Sequence, residues 1–411
     1  MQLRPILSAL FRNKTAPLLV ALQVAISLAI LCNALYIVNL RLSAAVRPSG
    51  MNEEQNMLRV SYFPLEKKTT EEVRELKSRQ IDLLRTLPGV ASVALTNQTP
   101  FGNSDSRSSV AVDRKQTQST ITVGTYNSPN SLVKTFGLRL IEGRDFTEND
   151  VVEIDPKTDP NRRAKVVIVS QALAKLMYPD SASALGKALF FGTESDAEEA
   201  QIIGVVETLI TPSAENAVES SYTVISPIKN LDRRSNFAIR TEAGQRDRVM
   251  ASVEDQLKKA APGLVTLKTE VIEKDRASRY QADKALAWML IAVCALLLLV
   301  TASGIVGMST LWVTQRTKQI GVRRALGARK VDVLISFITE NFIITSGGIV
   351  FGLLLALGVN QLLVSQFELT RLPMSYLFVA PLIFWLLGIA AVFAPAWRAA
   401  NTSPSIATRG A

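Results

Sequence analysis

The sequence predicts a membrane protein of four transmembrane α-helices, with a large extracytoplasmic α+β domain inserted between helices 1 and 2. Three observations predict it. Four long runs carry no charged residue, the stretch from Arg41 to Lys284 alternates between strand-like and helix-like patterning, and the surplus of basic residues collects beside the apolar runs. Composition agrees: 48% of the 411 residues are hydrophobic and 20% charged, below the roughly 25% charged of an ordinary soluble domain. Mean hydropathy is +0.20.

Composition also excludes chemistry. There is no histidine, which removes Ser-His and Cys-His nucleophile pairs and the commonest transition-metal ligand. Cys32 and Cys294 both sit inside apolar runs and read as small apolar fillers, not as a disulfide or metal framework. The expectation is a non-catalytic membrane subunit.

Taken in order, residues 1–16 carry Leu3, Ile6, Leu7, Leu10 and Phe11 among Arg4, Arg12 and Lys14, the pattern of an interfacial helix lying on the inner membrane face. Residues 17–40 form the first charge-free run. It exceeds the ~7 to 15 apolar residues of a signal-peptide core and reads as a retained anchor. Spans at 285–313, 333–367 and 372–397 follow, each beyond the ~20 residues a spanning helix needs. A cytoplasmic loop, 314–332, separates spans two and three, and residues 398–411 form a tail.

Lysine and arginine mark the cytoplasmic side of short loops. The leader, the loop between spans two and three, and the tail together hold the chain's whole net charge of +10. Both termini are therefore expected inside and residues 41–284 outside, in the periplasm or at the cell exterior; the pattern and the lack of a disulfide framework are compatible with a bacterial inner membrane and a periplasmic domain. The basic balance reports topology and calls for no nucleic acid.

Within the outer region, Asn56–Phe63 and Val90–Thr96 read as strands around a helix that starts near Thr69 and carries Val73, Leu76, Gln80, Leu83, Leu84 and Leu87. A second β-α-β pattern covers Asn236–Arg240, Arg246–Ala260 and Leu264–Val271. Pro88-Gly89 and Pro262-Gly263 end the two helices, with glycine available as a positive-φ cap. The two units, at 56–96 and 236–271, read as a pseudo-repeat packed around an inserted section with strands at Ser119–Tyr126, Lys165–Ser170, Gln201–Val206 and Ser221–Ser226. The polar stretch Asn149–Asn161 does not match the spacing of a calcium loop. From Glu270 to Lys284 the pattern is helical and runs into span two without a breaker, which predicts a stalk.

Several motifs carry a resemblance. The loop TQRTKQIGVRRALGARKVDVLISFITENF and the tail PAWRAANTSPSIATR resemble the signature of the MacB/FtsX family of ABC transporter permeases, and FGLRLIEGRDFTEND, VVIVSQALAKLMYP, ALGKAL and IIGVV are similar to that family's periplasmic core. The sequence departs from the usual pattern at Gln319, where a glutamate is common. From the residues alone, the basic amphipathic loop is equally suited to an anionic lipid surface and to a groove on a soluble partner. The resemblance implies the second: a coupling helix, with Arg316, Lys318, Ile320, Gly321, Arg323, Arg324, Ala325, Leu326 and Gly327 as the set that docks on an ATPase.

The phosphate-cradling loop G-x-x-x-x-G-K-[ST] is absent; Gly186-Lys187 lacks the earlier glycine. ATP and Mg are thus expected on a separate ABC ATPase subunit, with none bound directly. Glu340 is the one carboxylate well inside an apolar span, a placement that costs ~2.5 kcal/mol or more unless the charge is paired. It reads either as a pivot of the membrane bundle or as one half of an ion pair near the interface. Gly304, Gly307, Gly348 and Gly352 offer small faces for close helix approach.

Four spans are too few for a translocation path, so a homodimer, or a heterodimer with a paralogous permease, is expected. A periplasmic adaptor is compatible with the pattern. The implied function is ATP-driven mechanical movement of the outer domain for export of a periplasmic or amphiphilic substrate. The alternative is a signal relay that controls an extracytoplasmic enzyme or sensor.

Overall fold

The computed structural model describes residues 15–102, 104–159, 162–194, 197–212, 218–367 and 371–401. Residues 1–14 of the interfacial helix expected at 1–16, and the end of the tail, Arg409 included, lie outside the described residues. The chain divides into two compact units, Ala44–Ala282 and a second made of the residues on either side of it.

Helix α1 (Thr15–Ala45) continues beyond the charge-free run by five residues without a break. The outer unit begins with β1 (Met57–Pro64), α2 (Thr70–Arg85) and β2 (Val90–Leu95). Thr69 caps α2 in a capping box: its hydroxyl accepts from the Glu72 amide at 3.3 Å, and Glu72 accepts from the Thr69 amide at 2.7 Å. There follow β3 (Arg107–Ala111), β4 (Ile121–Asn127), α3 (Leu132–Phe136), β5 (Leu140–Gly143), β6 (Val152–Ile154), β7 (Val166–Ser170), α4 (Gln171–Met177), β8 (Ala188–Phe191), β9 (Glu198–Val206), β10 (Thr223–Ser226) and β11 (Ile228–Asn230). The unit ends with β12 (Ser235–Thr241), α5 (Arg246–Lys259), β13 (Val265–Val271) and α6 (Ile272–Arg279).

The two β-α-β segments interleave in one antiparallel sheet ordered β13-β1-β12-β2. Strand periodicity sends Leu58, Val60 and Tyr62 of β1 and Phe237 and Ile239 of β12 to one face, where Ile81 and Leu84 of α2 and Val249, Val253 and Leu257 of α5 cover them. The section between forms a seven-stranded sheet, β5-β9-β7-β10-β4-β3-β8, which pairing of β8 with β9 closes on itself. Closure leaves no unpaired edge among the six strands from β9 round to β8.

Two local expectations are corrected. Gly89 has φ +87° and serves as the positive-φ stop after α2, whereas Gly263 does not adopt that conformation. The stalk is not one helix: Glu270 and Val271 belong to β13, and the helical path breaks at Tyr280, between α6 and the second membrane helix α7 (Gln281–Gln315). Glu270 pairs with Arg59, so strand pairing and an ion pair hold a segment whose local composition favours helix.

The membrane unit is completed by a short helix α8 (Thr317–Ala325), then α9 (Lys330–Phe367) and α10 (Met374–Ala400). Four helices, α1, α7, α9 and α10, are long and apolar enough to cross a membrane. Their hydrophobic faces meet in a core that includes Val24, Leu28, Cys32, Ile305, Ile349, Phe384 and Val392. Both cysteines are free and buried, as fillers should be.

Lys77 of α2 is an unexpected core residue, 2% exposed. Its ammonium donates to the carbonyls of Asn230 and Arg234 at 2.7 and 2.9 Å and to Asp232 at 2.7 Å. Burial pulls its pKa below the ordinary lysine value while Asp232 opposes that shift. Lys77→Met keeps the stem but orphans two carbonyls, at about 1 to 3 kcal/mol each. Thermal unfolding of the detergent-solubilised protein is expected to fall by roughly 5 °C or more, at about 2 to 4 °C per kcal/mol for a domain of this size; an unchanged midpoint would mean that the lysine is not a strut.

Candidate functional site

The site is built where α7, α8, α9 and α10 converge. Helix α7 stops at Gln315, and Arg316 leaves helical geometry with φ −104° and ψ 8° before α8 begins. That turn aims the Arg316 guanidinium at Glu340 of α9. Nη1 donates to Oε2 at 2.8 Å and Nη2 to Oε1 at 3.1 Å. Two parallel bonds from the rigid fork of arginine match the carboxylate plane, a pairing lysine cannot copy. Glu340 is 4% exposed, so its charge is met by ion pairing, the second of the two readings its position allowed. Trp312 adds a ring 5.8 Å from the guanidinium.

Helix α8 divides the residues of the expected coupling set. At about 100° per residue, Ile320 and Arg324 share one face and Val322 and Leu326 another. Ile320 and Gly321 are buried within the unit, and Arg324 donates to the Ala400 carbonyl at the end of α10. Within this chain these three act as fastenings. The opposite side exposes Lys318, Arg323, Ala325 and Leu326, with Leu326 83% and Val322 51% exposed. Gly327, at φ +97°, ends the helix. Its amide donates to the Arg324 carbonyl at 3.2 Å, and the Ala328 amide to the Arg323 carbonyl at 3.1 Å, closing the last turn. Lys330 then donates to Asn401 at 2.7 Å.

The outcome is a small helix pinned on one side by Arg316, Arg324 and Lys330, presenting two large apolar side chains among basic ones on the other. Val322 was visible in the amphipathic pattern but is not in the expected set; its signal is the four-residue spacing to Leu326.

Three of the four glycines lie at close helix approaches. A Cβ on Gly348 would meet the Ala21 carbonyl at 2.6 Å, one on Gly352 the Ala25 backbone at 2.9 Å, and one on Gly304 the Gln23 side chain at 2.5 Å. All three therefore serve contacts with α1 inside this chain. Gly307 faces open space, so the expected helix contact is not made there within the chain. Asparagines add to the bundle. Asn33 of α1 donates to the Ala356 carbonyl of α9 at 3.2 Å, and Asn360 of α9 accepts from the Leu372 amide at 3.1 Å. An amide in an apolar run was the available signal.

In the outer unit, the segments next to α1 and α7 are locked by two arginines that no local pattern reveals. Arg276 of α6 bonds both Glu54 oxygens at 2.8 and 2.6 Å and the carbonyls of Ala45 and Arg47 at 3.1 and 2.8 Å. Arg59 of β1 grips Asp275 of α6 at 2.8 and 3.1 Å and also pairs with Glu270.

Among the described residues no cluster of acidic or cysteine side chains can hold a metal ion. Two family models match the chain: the MacB-like periplasmic core domain over residues 18–260 and the FtsX-like permease C-terminal over 291–404. The uncharacterized ABC transporter permease YvrN of Bacillus subtilis is 25% identical over 393 residues, 90% of this chain and 86% of that protein. The macrolide export ATP-binding/permease protein MacB of Agrobacterium fabrum is 24% identical over 78% of this chain, and that of Chromobacterium violaceum 25% over 65%. The chain spans 48% and 40% of the lengths of those two proteins.

Removing Arg316 leaves a buried carboxylate unpaired, which costs about 3 to 5 kcal/mol, whereas removing both charges is often near neutral. In detergent, Arg316→Met is expected to lower the unfolding temperature clearly and Arg316→Met/Glu340→Leu to restore most of the loss. Equal stability of the single variant and the native protein would show that the pair is only a surface contact.

Proposed function

Because the chain belongs to the MacB/FtsX family of ABC transporter permeases, we propose that it is the membrane subunit through which a separate ABC ATPase moves an outer domain to export a periplasmic or amphiphilic substrate. The observation that carries this reading is the exposed face of α8. Val322 and Leu326 cost free energy in water, at roughly 25 cal/mol per Å² of apolar surface. Flanked by Lys318 and Arg323, they suit an apolar groove with an acidic rim on a soluble partner.

In this reading α8, the basic leader and the tail are cytoplasmic, the core domain is periplasmic and the membrane is the bacterial inner membrane. ATP and Mg belong to the partner, and two permease chains, identical or paralogous, sit on two ATPase subunits. Closure of the partner drags α8. The Arg316–Glu340 pair and the Arg324–Ala400 bond pass that displacement to α7, α9 and α10 together, so the helices move as a bundle. At the outer ends, the grips of Arg276 and Arg59 make the core domain follow. No step needs a nucleophile, a base or a bound metal in this chain.

The test is purification from the native membrane in mild detergent with mass spectrometry of everything retained. Val322→Asp/Leu326→Asp and Arg323→Glu change only exposed side chains, so folding should be unaffected. The expected result is an ATPase that co-purifies with the native protein and is depleted by at least about tenfold, or ~1.4 kcal/mol, in the variants. Retention of the ATPase by all three proteins, or by none, would count against this docking face.

A further inference from the structure

One face of the β13-β1-β12-β2 sheet is covered by α2 and α5; the other face, toward one end, is polar. Alternation puts Arg59, Ser61 and Phe63 of β1, Asn236 of β12, and Thr266 and Lys268 of β13 on that second face. They floor a cavity of about 260 Å³ beneath the segment that carries Thr99 and Gly102. A second cavity of about 210 Å³, lined by Lys77, Asn127 and Asp232, shares Asn97, Ser104, Arg234 and Asn236 with the first. The two adjoin along these shared residues and are taken together as the cleft.

The charges lining the cleft mostly cancel. Arg59 and Lys268 answer to Glu270 and Asp275, and Lys77 answers to Asp232. Arg234, an exposed residue that lines both cavities, has no carboxylate partner for its guanidinium among the described residues; the group lies 5.8 Å from the Phe63 ring. Its fork is free to take a carboxylate. Three lining residues carry an unsatisfied polar atom: the hydroxyls of Tyr62 and Thr99, the latter on a residue 1% exposed, and the Asn127 side-chain oxygen. The asparagine oxygen accepts only, so it asks for an N–H, while the hydroxyls take either partner. An unmade bond at a buried polar group is costly, so filling these positions favours binding.

We infer that this cleft is a binding site for a small carboxylate bearing a neighbouring amide N–H, the chemistry of an N-acylated amino acid or of the last residues of a peptide. The carboxylate lies against Arg234 and the amide donates to Asn127, with Thr99 completing the set. The site also touches the clasp at the base of the unit. Arg59 lines the cleft and holds Asp275. Phe101, next to Gly102, has a strained φ of +63° and lies 4.3 Å beneath Arg276.

The experiment uses the full-length protein in detergent, without ATP or any second subunit, so its failure leaves the ATPase reading untouched and failure of that reading leaves the cleft untouched. N-acetyl-glycyl-glycine, its C-terminal amide and inorganic phosphate are titrated calorimetrically at low and at moderate salt. The expected result is saturable binding of the carboxylate, weakened at least about tenfold by amidation, by Arg234→Gln and by Asn127→Leu, since each removes a bond worth roughly 1.4 kcal/mol or more. No saturable binding, equal binding of acid and amide, or indifference to Arg234→Gln would overturn the inference. Phosphate that binds as well as the peptide acid would also overturn it, by reducing the cleft to a general anion contact. Unfolding curves of both variants check that lost binding is not lost folding.

Discussion

The architecture of this chain depends on the way arginine forks tie together segments that are remote in sequence. A guanidinium held by two oxygens of one carboxylate resists rotation as well as separation, which a single lysine contact does not. Arg316 does this between the turn after α7 and the first third of α9, Arg276 between α6 and Glu54, and Arg59 between β1 and α6. Arg316 sits at a break in helical geometry and Arg276 one turn before the break at Tyr280, where a chain without side-chain bonds would simply flex. The fold permits a bend at these points and then fastens it.

The membrane unit follows the same economy. Its helices cannot be driven together by the hydrophobic effect in lipid, so close contact must come from shape and from polar bonds. Gly348 and Gly352 bring α9 onto the backbone of α1, and Gly304 makes room for Gln23. Asn33, Asn360 and the Ser27–Thr301 hydrogen bond at 3.0 Å supply the polar part. In the outer unit the opposite rule holds: apolar cores carry the stability, among them one under α2 and α5 and one that gathers Met57, Tyr126, Phe136 and Ile272.

Much of this was legible in the sequence where local pattern and final environment agree. The four apolar runs, the strand at 57–64 and the helix begun by Thr69 and Glu72 are set by length, alternation and capping, all of which act within a few residues. The rest depended on partners far away. Lys77 sits among apolar neighbours on α2 and looks like an ordinary surface lysine until Asn230 and Arg234 bring their carbonyls to it. Glu270 falls where the strand pattern and the helical stalk pattern overlap, and it is β1 that claims it as strand. On α8 the sequence showed a basic amphipathic helix without showing which side was occupied; that Arg324 faces inward follows from the Ala400 carbonyl, some seventy residues later.

The central claim is that these arginine grips make the outer domain follow the partner subunit, and Arg276 tests it most directly because it is remote from α8. The decisive measurement compares ATP hydrolysis with substrate export in the reconstituted complex carrying native protein or Arg276→Gln. The account predicts hydrolysis within about twofold of native and export reduced at least about tenfold, a loss of ~1.4 kcal/mol or more in coupling. Unimpaired export alongside a correctly folded outer domain would contradict it.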